Sequence, residues 1–324
     1  MSLSITDIRA AAPEEWDFVW KECDYSTYFH SREWAELWQV YTKGKMLPEP
    51  ALVTFSDGMK ALLPLTTSKT FGGLIKNSVT SPAGTFGGWI ASDKLEVGHA
   101  LLLTDYLTRK CGNLLWRLNP YEKLSFKTGV RTTRDDETHV LDLRDGFDTI
   151  FSGWSPEKRR VARRALREGV SIRLAAGRDD WKAYYTVYQD TLRRWGEKAT
   201  SVYGWELFEE MARRHSPFIR LWLAVYNDKV IGGILNFHAR NHVVVWHAAT
   251  AGEYLRRFQP FTLLIFEGLK TACEEGYSWF DLNPSGGHTG VDVVKHRFGA
   301  KRLHCPVVEV ETFTSRLAAG IACL

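Results

Sequence analysis

Two nine-residue stretches, GNLLWRLNP at 112–120 and GYSWFDLNP at 276–284, lie 164 positions apart in a chain of 324 residues. Each opens on Gly, carries an aromatic near its middle and closes on Leu-Asn-Pro. An apolar run that stops at Asn-Pro reads as a strand ending abruptly, because proline cannot donate to a ladder and restricts the residue before it. An offset of about half the chain predicts internal duplication, one architecture built twice in tandem. The length agrees, since it suits two domains of roughly 150 residues. We place them at 1–148 and 149–324.

The elements around the echo repeat in order. In the first half, 13–23 and 31–42 read as helices and 51–65 as a hairpin turning at Asp57-Gly58. A glycine-rich loop and strand (81–90), a helix (94–110) and the closing strand follow. In the second half, 155–168, 179–195 and 205–214 read as helices, and 221–237 as a hairpin turning at Asn227-Asp228. A buried strand at 242–250, an apolar helix at 261–275 and the second closing strand complete the copy. Strands alternating with helices predict an α/β (α+β) protein with a mixed, twisted sheet flanked by helices in each half.

Composition narrows the class without naming it. Hydrophobic residues make up 44% and charged residues 25%, enough for a core. The net charge of +4 does not call for nucleic acid. The five cysteines are scattered, with no pair in CxxC spacing, which argues against a zinc knot or disulfide framework and for a reducing compartment. No basic segment leads into an apolar core at the N-terminus, and no apolar run approaches the roughly 20 residues of a membrane span. The expected setting is the cytoplasm.

The order hairpin, strand, helix, strand is that of a GNAT-type acyltransferase half. The second half also resembles the Fem-type peptidoglycan aminoacyltransferases and their FemAB-like relatives. The resemblance rests on a basic helix, SPEKRRVARRALREGV (155–170), and a tryptophan strand, VVVWHAAT (243–250). It continues through a Tyr and Pro before an apolar helix (253–276), then a strand with Asp near its end, a glycine loop and K-x-x-F-G at 295–299. YFHSREWAELW (28–38) looks like the family's opening helix.

The resemblance implies tandem GNAT-like domains, the first binding the acceptor and the second catalysing transfer of an acyl group to an amine. The implied donor is an acyl-CoA such as acetyl-CoA, and the implied acceptor is a small molecule or an envelope precursor. No metal and no DNA are expected. Two departures bear on the donor. GNAT enzymes carry a glycine-bearing loop whose amides hold the coenzyme A pyrophosphate at a helix N-terminus. Here that position reads RRFQPFT (256–262), without glycine. The coiled-coil arm that accompanies tRNA use in some Fem enzymes is absent, so an aminoacyl-tRNA donor stays open without support. A binding protein that keeps the fold without catalysis is the third reading.

Among the residues, Lys295 matches the lysine of K-x-x-F-G and is expected to steady an oxyanion or an anionic substrate. Asp281, at the end of the closing strand, and His247, beside Trp246, are candidate proton acceptors, each with a plain packing reading besides. Tyr254 stands before the apolar helix as a donor to a leaving group or as a packing ring. Substrate contacts are expected from Trp246, Asn283, Arg257 and Arg297. Lys158, Arg159, Arg160, Arg163, Arg164 and Arg167 crowd one helix, with Arg159, Arg160 and Arg163 as expected substrate contacts, since arginine suits phosphate but also suits a solvated face. Val161, Ala162, Ala165 and Leu166 are read as its buried stripe. A helix-turn-helix is not indicated, because 170–174 reads as a strand. His238, His242 and His247 lack a carboxylate or cysteine at metal-ligand spacing.

Overall fold

A computed structural model describes residues 2–199 and 201–312. The chain forms two compact units, one running to Glu137 and regaining the chain from His304 onward, the other spanning Thr138–Leu303. This differs from a division at 148. The strand at 137–142 is claimed by the second unit's sheet and the strand at 307–310 by the first, through pairings the sequence does not announce.

The first unit contains β1 (Ile5–Ala10), α1 (Pro13–Glu22), α2 (Arg32–Tyr41), β2 (Met46–Pro48), β3 (Ala51–Phe55) and β4 (Lys60–Leu63). It continues with β5 (Thr66–Thr70), β6 (Ile75–Val79), β7 (Phe86–Gly87), α3 (Val97–Lys110) and β8 (Asn113–Leu118). One sheet has the order β1-β3-β4, and another is completed by a late strand, 307–310, beside β8. β6 and β8 are parallel, joined through α3. Leu114, Trp116 and Leu118 alternate inward from β8 into the core. The Asp57-Gly58 hairpin is present as read, whereas the β5–β6 hairpin has too polar a sequence (TTSKT) to signal itself.

The second unit holds β9 (Glu137–Asp142), α4 (Phe147–Ser152), α5 (Pro156–Arg167), β10 (Ser171–Leu174), α6 (Arg178–Trp195), α7 (Trp205–Arg214) and β11 (Ile219–Tyr226). Then come β12 (Lys229–His238), β13 (His242–Thr250), α8 (Pro260–Glu274), β14 (Trp279–Asp281), α9 (Thr289–His296) and β15 (Lys301–His304), with β16 (Val307–Val310) returning to the first unit. The seven-stranded sheet runs β10-β11-β12-β13-β14-β9-β15. Its core sets Ile234, Val243, Val245 and Phe280 against Ala162 and Ala165 of α5 and Leu264, Ile265 and Leu269 of α8.

The chain is thus two tandem GNAT-like units, each built on a mixed sheet with helices, the first carrying a three-stranded antiparallel sheet besides. The echo marks equivalent places: β8 and β14 each follow a crossover helix and lie between parallel and antiparallel partners, β6 and β7 against β16 for β8, and β13 against β9 for β14. Among the described residues no helix is long and apolar enough to cross a membrane.

Candidate active site

β13 and β14 pair in parallel at only three positions, His242↔Trp279, Val243↔Phe280 and Val244↔Asp281. Beyond them the strands part, and a cavity of about 520 Å³ opens between Val245–Thr250 on one side and Leu282–Pro284 on the other. The start of α8 (Gln259, Phe261, Thr262), α9 and Lys158 complete the wall. A bulge sharpens the parting. Leu235 pairs with His247 but Asn236 pairs with Val245, leaving Trp246 as the extra residue, and a bulge twists and re-aims a strand. The Trp246 ring stacks on Tyr203 with centroids 5.1 Å apart.

Lys295 reaches the wall through the rest of its motif. Phe298 is fully buried against Trp154 and Phe261, with ring centroids at 4.6 and 6.0 Å. Gly299 follows the helix at φ +75°, a conformation glycine adopts without strain. With the end of α9 pinned, Lys295 lies one turn back, buried, its Nζ donating to the Asn283 carbonyl at 2.5 Å. Asn283 holds that carbonyl in place by a left-handed φ of +62°. The glycine loop feeds α9, which the sequence reading passed over as loop.

His247 lies on the wall, its Nδ1 2.6 Å from the Tyr184 hydroxyl, inside a ring of Tyr188, Tyr203 and Phe208. Burial drives its pKa down to about 3, so it is neutral near pH 7. Burial also raises the Tyr184 pKa well above its ordinary value, which keeps that hydroxyl protonated.

The other sequence candidates lie off this wall. Asp281 is fully buried beneath it, accepting from the Thr138 hydroxyl and, at 2.6 Å, from the Asn283 N–H. It therefore positions the Asn283 turn. Tyr254 stacks on Phe258 (5.9 Å) and meets Tyr226 (6.1 Å), as a packing ring. Arg257 covers Phe258 at 4.6 Å and pairs with Glu168, and Arg297 pairs with Glu157. Arg159, Arg160 and Arg163 line a separate, open depression on the outer face of α5. Leu166 belongs there too, 44% exposed, so it is not part of the buried stripe.

The reading grouped Lys158 with the arginines of α5 and did not single it out. It falls on the stripe of Val161, Ala162 and Ala165, at i+3, i+4 and i+7, and is 5% exposed. A lysine in register with an apolar stripe was the available signal. Its Nζ donates to Gln259 Oε1 at 2.8 Å and Thr262 Oγ1 at 3.0 Å, spanning the first turn of α8. That turn is where glycine amides would face a pyrophosphate; here Gln259 is left-handed and Pro260 has no N–H. Among the described residues, no group of three or more His, Cys, Asp or Glu could hold a metal.

A strand pair splayed around a cavity, with a helix starting at its mouth, defines a GNAT-type domain, and the acetyltransferase (GNAT) domain model matches residues 157–290. The second unit therefore carries a GNAT-type domain, within a two-unit fold of the Fem-like kind. The crystal structure of FemX superposes with a TM-score of 0.72 at 12% identity, covering 93% of this chain and 97% of that one. L-PGS from Bacillus licheniformis gives 0.56 at 13% identity, covering 94% and 93%. The C-terminal domain of a putative lysylphosphatidylglycerol synthetase from Agrobacterium fabrum gives 0.55 at 11%, covering 80% and 85%. No curated protein sequence matches the chain.

Proposed function

We propose that this protein is an acyltransferase that moves an acyl group from an activated ester or thioester to an amine, with the reacting carbonyl held where β13 and β14 part. The observation that carries this reading is the buried Lys295 ammonium in the wall of that cavity, fixed by the Asn283 carbonyl. The amine nitrogen attacks the carbonyl carbon and a C–N bond forms. Negative charge gathers on the carbonyl oxygen, where a fixed cation in a water-poor site lowers the barrier. The C–S or C–O bond then breaks, and the leaving thiolate or alkoxide takes up the proton that the nitrogen loses. A histidine with a pKa near 3 is a weak base at neutral pH, so His247 holds substrate by hydrogen bonding in this scheme. The acceptor class favoured is an amine-bearing envelope precursor or small molecule, and the favoured donor an acyl-CoA.

An aminoacyl ester, as on charged tRNA, is the second reading. It draws on the first turn of α8, which has Pro260 at its start and Lys158 across it in place of glycine amides. A thermal-shift series with acetyl-CoA, longer acyl-CoAs, charged tRNA and UDP-sugars separates the readings. Stabilisation by an acyl-CoA supports the first and by charged tRNA the second. No shift with any donor overturns both in favour of a binding protein.

A further inference from the structure

Lys158 is an ammonium in a place built against positive charge. Both of its acceptors, Gln259 Oε1 and Thr262 Oγ1, are neutral, and among the described residues no carboxylate pairs with its Nζ. The Phe298 ring lies 5.5 Å away, an apolar neighbour whose face offers a cation only weak compensation. Burial lowers the lysine's pKa, as it does for any cation taken out of water. The amino end of α8 adds the positive pole of a 15-residue helix on the same spot. The carboxylate that acts on Lys158 from a distance, Glu157, is itself paired with Arg297 at 3.1 Å, so the buried ammonium has no carboxylate of its own in contact, and burying a charge without a close partner is costly. An ammonium has three N–H donors, and two are used within the protein. The same side chain lines the cavity, whose neighbouring wall is apolar at Val245, Phe261, Leu282 and Val294. The other cations of the wall are already engaged, Lys295 by the Asn283 carbonyl and Arg194 by Asp190 and the Thr250 carbonyl, which leaves Lys158 as the one held by neutral side chains.

We propose that Lys158 is an anion-binding residue, which takes one oxyanion group, a phosphate or a carboxylate, of the ligand at the α8 end of the cavity. The side chain supplies the charge that glycine amides would otherwise supply. The inference rests on the reading of this cavity as the substrate site, and it adds a second cation with a different task. Lys295 serves the reacting carbonyl, and Lys158 holds a remote charge that fixes the ligand's position.

Isothermal titration of the whole protein with inorganic pyrophosphate, and separately with acetate, tests it. Binding of pyrophosphate identifies the anion as phosphate, and binding of acetate alone identifies it as carboxylate. Lys158→Met should weaken the bound anion by about tenfold or more, whereas the double variant Arg160→Gln/Arg163→Gln on the outer face of α5 should leave it within about twofold. Equal affinity in Lys158→Met, or no binding of either anion to the unaltered protein, overturns the proposal. Should Lys158→Met fail to fold, crystals of the unaltered protein soaked in tungstate decide. Anomalous density at hydrogen-bond distance from Lys158 Nζ supports the site, and density only at the α5 arginines removes it. Because the readout is binding, Lys158-dependent anion affinity without transfer activity would count against the reaction and leave this inference standing. Transfer activity with anion binding indifferent to Lys158 would do the reverse.

Discussion

The Lys295 ammonium donates to the main-chain carbonyl of Asn283 at 2.5 Å, joining the turn after β14 to α9. Three unrelated local devices converge on that bond. Phe298 and Gly299 fix the end of α9, the left-handed Asn283 turns its carbonyl toward it, and Asp281 holds the Asn283 N–H. A charge held this firmly needs no rearrangement when an oxyanion forms, which is the property oxyanion stabilisation relies on.

Lys295→Met should lower kcat by about 10²–10³-fold with a smaller change in KM, the signature of an interaction made chiefly in the transition state. Initial rates over a range of donor concentrations check this. Turnover at the native rate would remove Lys295 from the mechanism.

Asn283 carries φ +62°, which costs a β-branched residue about 1–2 kcal/mol. Asn283→Gly should keep both stability and activity, since the carbonyl is unchanged and glycine accepts the angle. Asn283→Val should lose about 1–2 kcal/mol in urea unfolding and most of its activity. Equal stability of the two variants would show that the turn does not depend on this conformation.

At Gly233 on β12 an added Cβ would lie 2.6 Å from the Tyr184 ring and 2.9 Å from the Trp222 carbonyl oxygen. Gly233→Ala should therefore destabilise by about 1–3 kcal/mol and push Tyr184 away from His247. Thermal unfolding measures the first effect, and the imidazole NMR shifts of His247 the second. An unchanged melting temperature would mean that the ring shifts freely.

His238 is buried with neither ring nitrogen hydrogen-bonded, and burial first, then the Arg220 charge, lowers its pKa to about 3. The folded state thus binds fewer protons than the unfolded chain, where histidine titrates near 6.5. Stability from this group is complete above about pH 6.5 and is lost as pH falls from there toward 3. Urea midpoints should drop between pH 6.5 and 4.5, and His238→Leu should drop less steeply. Identical slopes would assign the acid sensitivity to other groups.

Much of the fold was legible because its signals are local. The Asp57-Gly58 and Asn227-Asp228 turns, the helix at 205–214 and the strand at 242–250 are where their residues imply. What was missed is non-local or masked. β9 and β16 are short, and each gains its identity from a partner more than 130 residues away, β14 and β8. α9 starts among glycines, which conceal eight helical residues. The echo itself diverged. Asn119 is buried and donates to the Tyr25 carbonyl as a structural tie, while Asn283 offers its own carbonyl to Lys295.

The sequence by itself determined the kinds of element, their order, the tandem plan and Lys295 as the residue to examine. It did so because periodicity, turn chemistry and a short motif are properties of neighbouring residues. Only the tertiary structure decided which side chains line the cavity. It withdrew Tyr254 into packing, set Asp281 beneath the wall, left the arginines of α5 on an outer face and turned Lys158 inward. A side chain's solvation depends on what the rest of the chain packs against it, and that is settled by contacts far apart in sequence.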